Sequence, residues 1–386
     1  MRLSRHVTVW VAASTLLMAG LSGCSSDDDA GSGSTIVIGA DLNNSSAVDT
    51  AYARALQLRI DQINLSGQLG QHKLALRTQD NRSDPTVSLR NFSSFAADPA
   101  VAAVVTGSCD VCTVNATKTI NDKRIPTIAL AASDDVVNPV ADRRFIFKIG
   151  PNSTDSAAAM VAELRRVQAK NVALLYSDDL YGQGGDKAIE AELGKARITK
   201  KASRTVKPSS TDISQAVDAL IDTKPDALLV LTAPDQATLA ATTAKSAGFA
   251  GRMYFDAAAA GDLFIPADAV GATENTTMVF TQILAIDDVI ATTPAKASRK
   301  QWFRDYTSRY GSYSGVASFA ADAGDLIADA VALAGTDRNR IRDILETSQV
   351  DGLSGPIRMT PDNHSGLMPQ ALTLLVARSG RWRLAS

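Results

Sequence analysis

Cys109 and Cys112 stand in a C-x-x-C spacing, the arrangement in this chain with the clearest capacity for chemistry. At a helix start two such Cα atoms fall within the roughly 4.4–6.8 Å a disulfide tolerates, so a structural bridge is one expectation. Free thiols are a second. A third is redox or metal work, because a helix N-terminus favours the thiolate, although no Trp precedes Cys109. Nucleophilic hydrolysis would need a suitable His, and beyond His6 there are only His72 and His364, both in polar, turn-like surroundings. No G-x-S-x-G elbow, G-x-x-x-x-G-K-[ST] loop or G-x-G-x-x-G turn occurs, and Gly182-Gln183-Gly184-Gly185 has the wrong spacing for one. Three Cys and three His leave little material for a multi-ligand zinc site. The expectation is a protein without metal or cofactor, and not an enzyme.

The elements that position these residues belong to a chain of 386 residues, 45% hydrophobic and 21% charged. That length suits two domains of roughly 100–200 residues each. With 39 basic against 41 acidic residues the net charge is −2, which offers no footprint for nucleic acid. Arg2, Arg5 and His6 precede the uncharged run Val7 to Gly20, the pattern of a secretory signal peptide. The run is shorter than the roughly 20 residues a membrane span needs. It ends in Leu21-Ser22-Gly23-Cys24, which looks like a bacterial lipobox: residues 1–23 are removed and Cys24 carries lipid. Residues 24–34, rich in Ser, Gly and Asp, read as a flexible tether in an oxidising, extracytoplasmic compartment.

From Thr35 onward short apolar runs alternate with helical patterns. Strands are expected at 36–39, 73–79, 101–106 and 125–130, with helices at 48–63, 85–96 and 113–122 between them. A second series has helices at 156–169, 184–193, 213–221 and 236–246 and strands at 172–176, 227–231 and 252–255. A long helix at 318–334 and strands at 355–360, 370–377 and 380–384 close the chain. Such alternation implies an α/β fold of two doubly wound lobes with parallel-type central sheets.

Ile36-Val37-Ile38-Gly39-Ala40, Gln79-Asp80-Asn81-Arg82-Ser83-Asp84-Pro85, Asp179-Leu180-Tyr181-Gly182-Gln183-Gly184, Ala320-Ala321-Asp322-Ala323 and Gly355-Pro356-Ile357 follow one another in order. Together they resemble type I extracytoplasmic solute-binding proteins, the leucine/isoleucine/valine-binding-protein-like receptors of ABC transporters. The resemblance implies two lobes joined by a three-segment hinge, with crossings near Gly150, Phe280 and Gly352. Lobe 1 then takes residues 35–149 and 282–351, and lobe 2 takes 150–281 and 352–386. It further implies a monomer that captures a small polar metabolite, amino acids first, and delivers it to an ABC permease. A sensor of the same fold, signalling to a membrane partner, is the alternative.

Within that family the ligand lies between the lobes, beyond the strand C-termini. Ser108 to Thr113 follows a strand and opens a helix, so exposed N–H groups and the helix dipole favour a ligand carboxylate there, with Ser108, Cys112 and Thr113 as candidates. Thr113 is equally suited to helix capping. Asp110 beside such a site is awkward for an anion and points toward a cationic or neutral ligand. Val111 stands where relatives often carry a ligand-binding Ser. The resemblance adds Ala131 and Ser133 after the next strand, Tyr181 as a pocket tyrosine, and Asp256 as the carboxylate for an ammonium. Asp322 is expected to brace the long helix against the hinge.

Overall fold

The computed structural model describes residues 34–263 and 265–385. The expected signal peptide, the expected lipid-bearing Cys24 and the expected tether up to residue 33 lie outside the described residues.

Strand β1 (Thr35–Leu42) leads into helix α1 (Ala47–Ser66), β2 (Lys73–Asp80), α2 (Pro85–Ala97), β3 (Val101–Thr106), α3 (Asp110–Asp122), β4 (Thr127–Ala129) and β5 (Ile146–Lys148). The strands make a parallel five-stranded sheet in the order β2-β1-β3-β4-β5. Every residue of β3 is buried, as a central parallel strand covered on both faces requires. Local chemistry sets the helix starts. The Asp84 carboxylate accepts the Thr86 N–H at 2.7 Å with Pro85 in the first turn, so the Asp84-Pro85 pair both caps and pre-sets α2.

The second lobe begins with α4 (Ser153–Arg166), β6 (Asn171–Ser177), α5 (Leu180–Ala196), β7 (Thr199–Val206), α6 (Ser214–Ile221) and β8 (Ala227–Leu231). It continues through α7 (Pro234–Ser246), β9 (Arg252–Phe255), α8 (Val270–Thr273) and β10 (Thr277–Thr281). Then come α9 (Pro294–Tyr310), α10 (Ala317–Ala334), α11 (Arg338–Leu345), β11 (Gln349–Asp351), β12 (Pro356–Arg358), β13 (Leu372–Arg378) and β14 (Arg381–Leu384). The larger sheet has seven strands in the order β14-β13-β10-β9-β8-β6-β7, of which β13 alone runs opposite to the rest. The fold is therefore α/β with mainly parallel sheets in two lobes.

Helices α9 to α11 return to the first lobe. Helix α10 packs on α1, where Arg59 meets Asp325 at 2.6 Å, and Asp305 of α9 accepts from Gln62 at 2.9 Å. The buried Asp322 carboxylate accepts N–H groups from Leu353 at 2.7 Å and Ser354 at 2.8 Å, the bracing expected of it. At the first crossing the buried Lys148 ammonium donates to the carbonyls of Gly150 at 2.9 Å and Pro151 at 2.5 Å, and lies 3.2 Å from Asp134. Asp134 in turn accepts the Ser153 N–H at 3.0 Å, tying β5 to the start of α4.

Several elements were not anticipated from the sequence, and each has a physical reason. Strand β7 lies at a sheet edge and is mostly polar, so it shows no apolar run. Helix α9 buries only Arg299, Trp302 and Tyr306, a stripe too narrow to read as amphipathic. Strands β5 and β10 and helix α11 are short. Residues well beyond Gly352 still pair with the five-stranded sheet. His364 accepts the Lys148 N–H at 2.9 Å and Gly366 donates to the Lys148 carbonyl at 2.8 Å, so this segment stays on the five-stranded sheet. The chain joins the larger sheet only at Leu372.

Candidate ligand-binding site

Strand ends from both lobes converge on a cavity of about 160 Å³. The first lobe lines it with Ser108 and Asp110 after β3, Leu130, Ala131 and Ala132 after β4, and Val48 and Tyr52 from α1. The second supplies Ser177, Asp179 and Tyr181 around the start of α5, Gln236 in α7, and Asp256 with Ala257 and Ala258 after β9. Val316 and Phe319 at the start of α10 contribute apolar surface, and Gly150 and Pro151 of the first crossing sit on the same wall.

The turn into α5 shows how local sequence places a site residue. Asp179 caps the helix by accepting the Gly182 N–H at 2.8 Å and the Ser177 hydroxyl at 2.7 Å. A Cβ at Gly182 would stand 2.0 Å from the Ser177 carbonyl oxygen, so only glycine permits this approach. Tyr181, fixed by that turn, is buried and donates its hydroxyl to Asp256 from inside the wall.

Of the residues nominated from sequence, Ser108, Ala131, Tyr181 and Asp256 meet at the cavity. Cys112, Thr113 and Ser133 do not line it. Cys112 is joined to Cys109 in a disulfide with Cα atoms 5.2 Å apart, and its side chain is buried. Thr113 turns inward, bonding the Thr106 hydroxyl at 2.9 Å. Ser133 accepts the Asp135 N–H at 3.2 Å and so caps the short turn Asp134–Val136. Sequence reasoning missed Tyr52, Asp179, Gln236 and Phe319, and weighed Asp110 as awkward for an anion and a pointer to a cationic or neutral ligand, without nominating it as a site residue. Tyr52 and Phe319 carry no separate signal, because a helix face turned to a cavity looks like one turned to a core. Asp179 was recognisable as the N-cap before Leu180.

The wall is electrostatically one-sided. Burial pushes the Asp110 carboxyl up to about 7 against the opposing Ser133 N–H, which donates to it at 3.0 Å, and the Asp179 charge adds to the rise. Burial likewise pushes Asp256 up to about 7, with the Tyr181 hydroxyl and the Ala258 N–H opposing. Tyr181 is held well above its ordinary value, first by burial and then by Asp256. None of the described lining residues is Lys, Arg or His. His364 is buried elsewhere, against the Ile146 carbonyl at 2.9 Å and stacked on Phe147, while His72 bonds Ser34 at 2.9 Å. Among the described residues no group of three or more His, Cys, Asp and Glu is placed to hold a metal ion.

Two mainly parallel-sheet lobes with a cavity lined from both define the class of two-lobed binding proteins. Residues 37–381 match the family described as periplasmic binding protein, and the chain belongs to that family. Among solved structures it is similar to an extracellular ligand-binding receptor from Rhodopseudomonas palustris HaA2, at 21% identity and a TM-score of 0.81, covering 91% of this chain and 99% of that one. A leucine binding protein from Thermotoga maritima superposes at 17% identity and a TM-score of 0.77, covering 91% and 98%. A branched-chain amino acid transporter substrate binding protein from Streptococcus pneumoniae, in complex with isoleucine, does so at 18% and 0.77, covering 91% and 99%. No curated protein matches the chain.

Proposed function

We propose that this chain is a lipid-anchored extracytoplasmic receptor that captures a small polar metabolite, an amino acid or a related compound, and delivers it to an ABC importer. The observation that carries this reading is a cavity lined from both lobes, with the polar residues Ser108, Asp110, Tyr181 and Asp256 near strand ends. A ligand touching both walls favours the closed form, and closure is what a permease can recognise. The reading includes no catalytic step: both His residues beyond the N-terminal run make structural contacts outside the cavity. Leu21-Ser22-Gly23-Cys24 supports the anchor.

A thermal-shift screen of the purified protein against small metabolites tests the binding role. A ligand at 100 times its Kd adds about 2.7 kcal/mol to stability. A folded protein that shows no shift across a broad panel of amino acids, amides, amines and organic acids contradicts the reading. For the anchor, Cys24→Ala is expected to release the protein from membranes on fractionation.

A further inference from the structure

The seat for an anion in the first lobe is already filled by the chain itself. The Ser108 N–H donates to Asp49 at 2.8 Å, and the Ser133 N–H donates to Asp110 at 3.0 Å. Both loops nominated from sequence to receive a ligand carboxylate therefore spend backbone amides on internal carboxylates. Gly107 belongs to this arrangement, since a Cβ there would lie 2.5 Å from an Asp49 oxygen.

Elsewhere on the wall the hydroxyls of Ser108, Ser153 and Ser156 are the neutral side-chain donors left, and none carries charge. Tyr52 gives its hydroxyl proton to the Leu130 carbonyl at 3.1 Å and Tyr181 gives its own to Asp256, so both present lone pairs only. Gln236, 5% exposed, commits its amide nitrogen to the carbonyls of Lys207 at 2.8 Å and Ser210 at 3.0 Å. Its buried carbonyl oxygen has no partner. Asp110 from one lobe and Asp179 and Asp256 from the other add carboxylates without a basic residue on the described wall. Lys148, the nearest buried cation to the hinge, spends its ammonium on carbonyls and on Asp134. The ligand that complements such a wall brings the positive charge and the hydrogen-bond donors itself. An organic ammonium or guanidinium group supplies the charge and the donors at once.

Resting on the binding role proposed above, we infer that the cavity takes a small organic cation without a carboxylate, an aliphatic amine or guanidine. Its charged head lies between Asp110 of the first lobe and Asp179 and Asp256 of the second. Apolar Val316, Phe319 and Ala257 receive the carbon chain.

The test is isothermal titration of the purified full-length protein in detergent with 1,4-diaminobutane and agmatine, against L-leucine and L-isoleucine at matched ionic strength. Binding of either amine, with no heat from the two amino acids, is the expected result. Asp110→Asn keeps an acceptor for the Ser133 N–H and is expected to weaken the amine at least tenfold. Asp179→Asn, which keeps an oxygen for the Gly182 N–H, gives the same reading if the first variant does not fold. Binding of leucine or isoleucine instead overturns the cation inference and leaves the receptor reading standing. Unchanged amine affinity in both folded variants also overturns it. No binding by any probe, followed by an empty broad panel, removes both readings.

Discussion

Asp322 holds three donors at once: the N–H groups of Leu353 and Ser354 and the Ser354 hydroxyl. Removing the carboxylate strands buried backbone donors, each costly without a partner. Asp322→Ala is expected to lower the unfolding free energy in urea by about 2–4 kcal/mol, and Asp322→Asn by less, since one oxygen still accepts. A loss under about 0.5 kcal/mol in the alanine variant would show that the brace is dispensable. At this scale the sequence was informative where a residue's role follows from the turn it sits in. Tyr181 is aimed by the Asp179 cap and Gly182, and Asp256 follows directly from strand β9. It also nominated Thr113 and Ser133, whose hydroxyls bond within the fold, to Thr106 and the Asp135 N–H, and do not line the cavity.

Arg338 performs a joining role between elements. From the first residue of α11 its guanidinium donates to the carbonyls of Phe95 at 3.3 Å, Ala96 at 3.2 Å, Asp98 at 2.9 Å and Val101 at 3.0 Å. These carbonyls lie at the end of α2 and the start of β3, and those of Phe95 and Asp98 also accept the N–H groups of Asp98 and Val101. Arg338→Ala is expected to cost about 1–3 kcal/mol in the same urea titration. Arg338→Lys should recover only part, because a single ammonium lacks the planar fork. Recovery to the parent value would contradict this account. The element pattern was legible wherever buried faces were wide: β3, β8 and β9 end where the apolar runs end. Helix α9 was not, since its stability comes from partners on α1 that only the folded chain brings near.

For the molecule as a whole, three buried carboxyl groups set the pH response. Burial raises Asp110, Asp256 and Asp322 to about 7, from an ordinary 3.8. Between those values the folded chain retains protons that the unfolded chain has lost, so stability falls as pH rises through that window. The melting temperature is expected to be higher near pH 5 than near pH 8, and a rise over that interval in differential scanning calorimetry would contradict the assignment. The parallel, two-lobed organisation could be read from the alternation of strands and helices. The pairing of residues 364–366 with Lys148 could not, because the two segments are far apart in sequence.

The interleaving of the lobes also imposes an order of assembly. A chain delivered N-terminus first presents β1 to β5 and α1 long before α10 exists to cover α1. The larger sheet likewise waits for β13, which pairs with β10 across an intervening stretch that belongs to the other lobe. Neither half can complete its interior during synthesis until the final strands emerge. An assembly order of this kind suits passage through a membrane pore before folding on the far side.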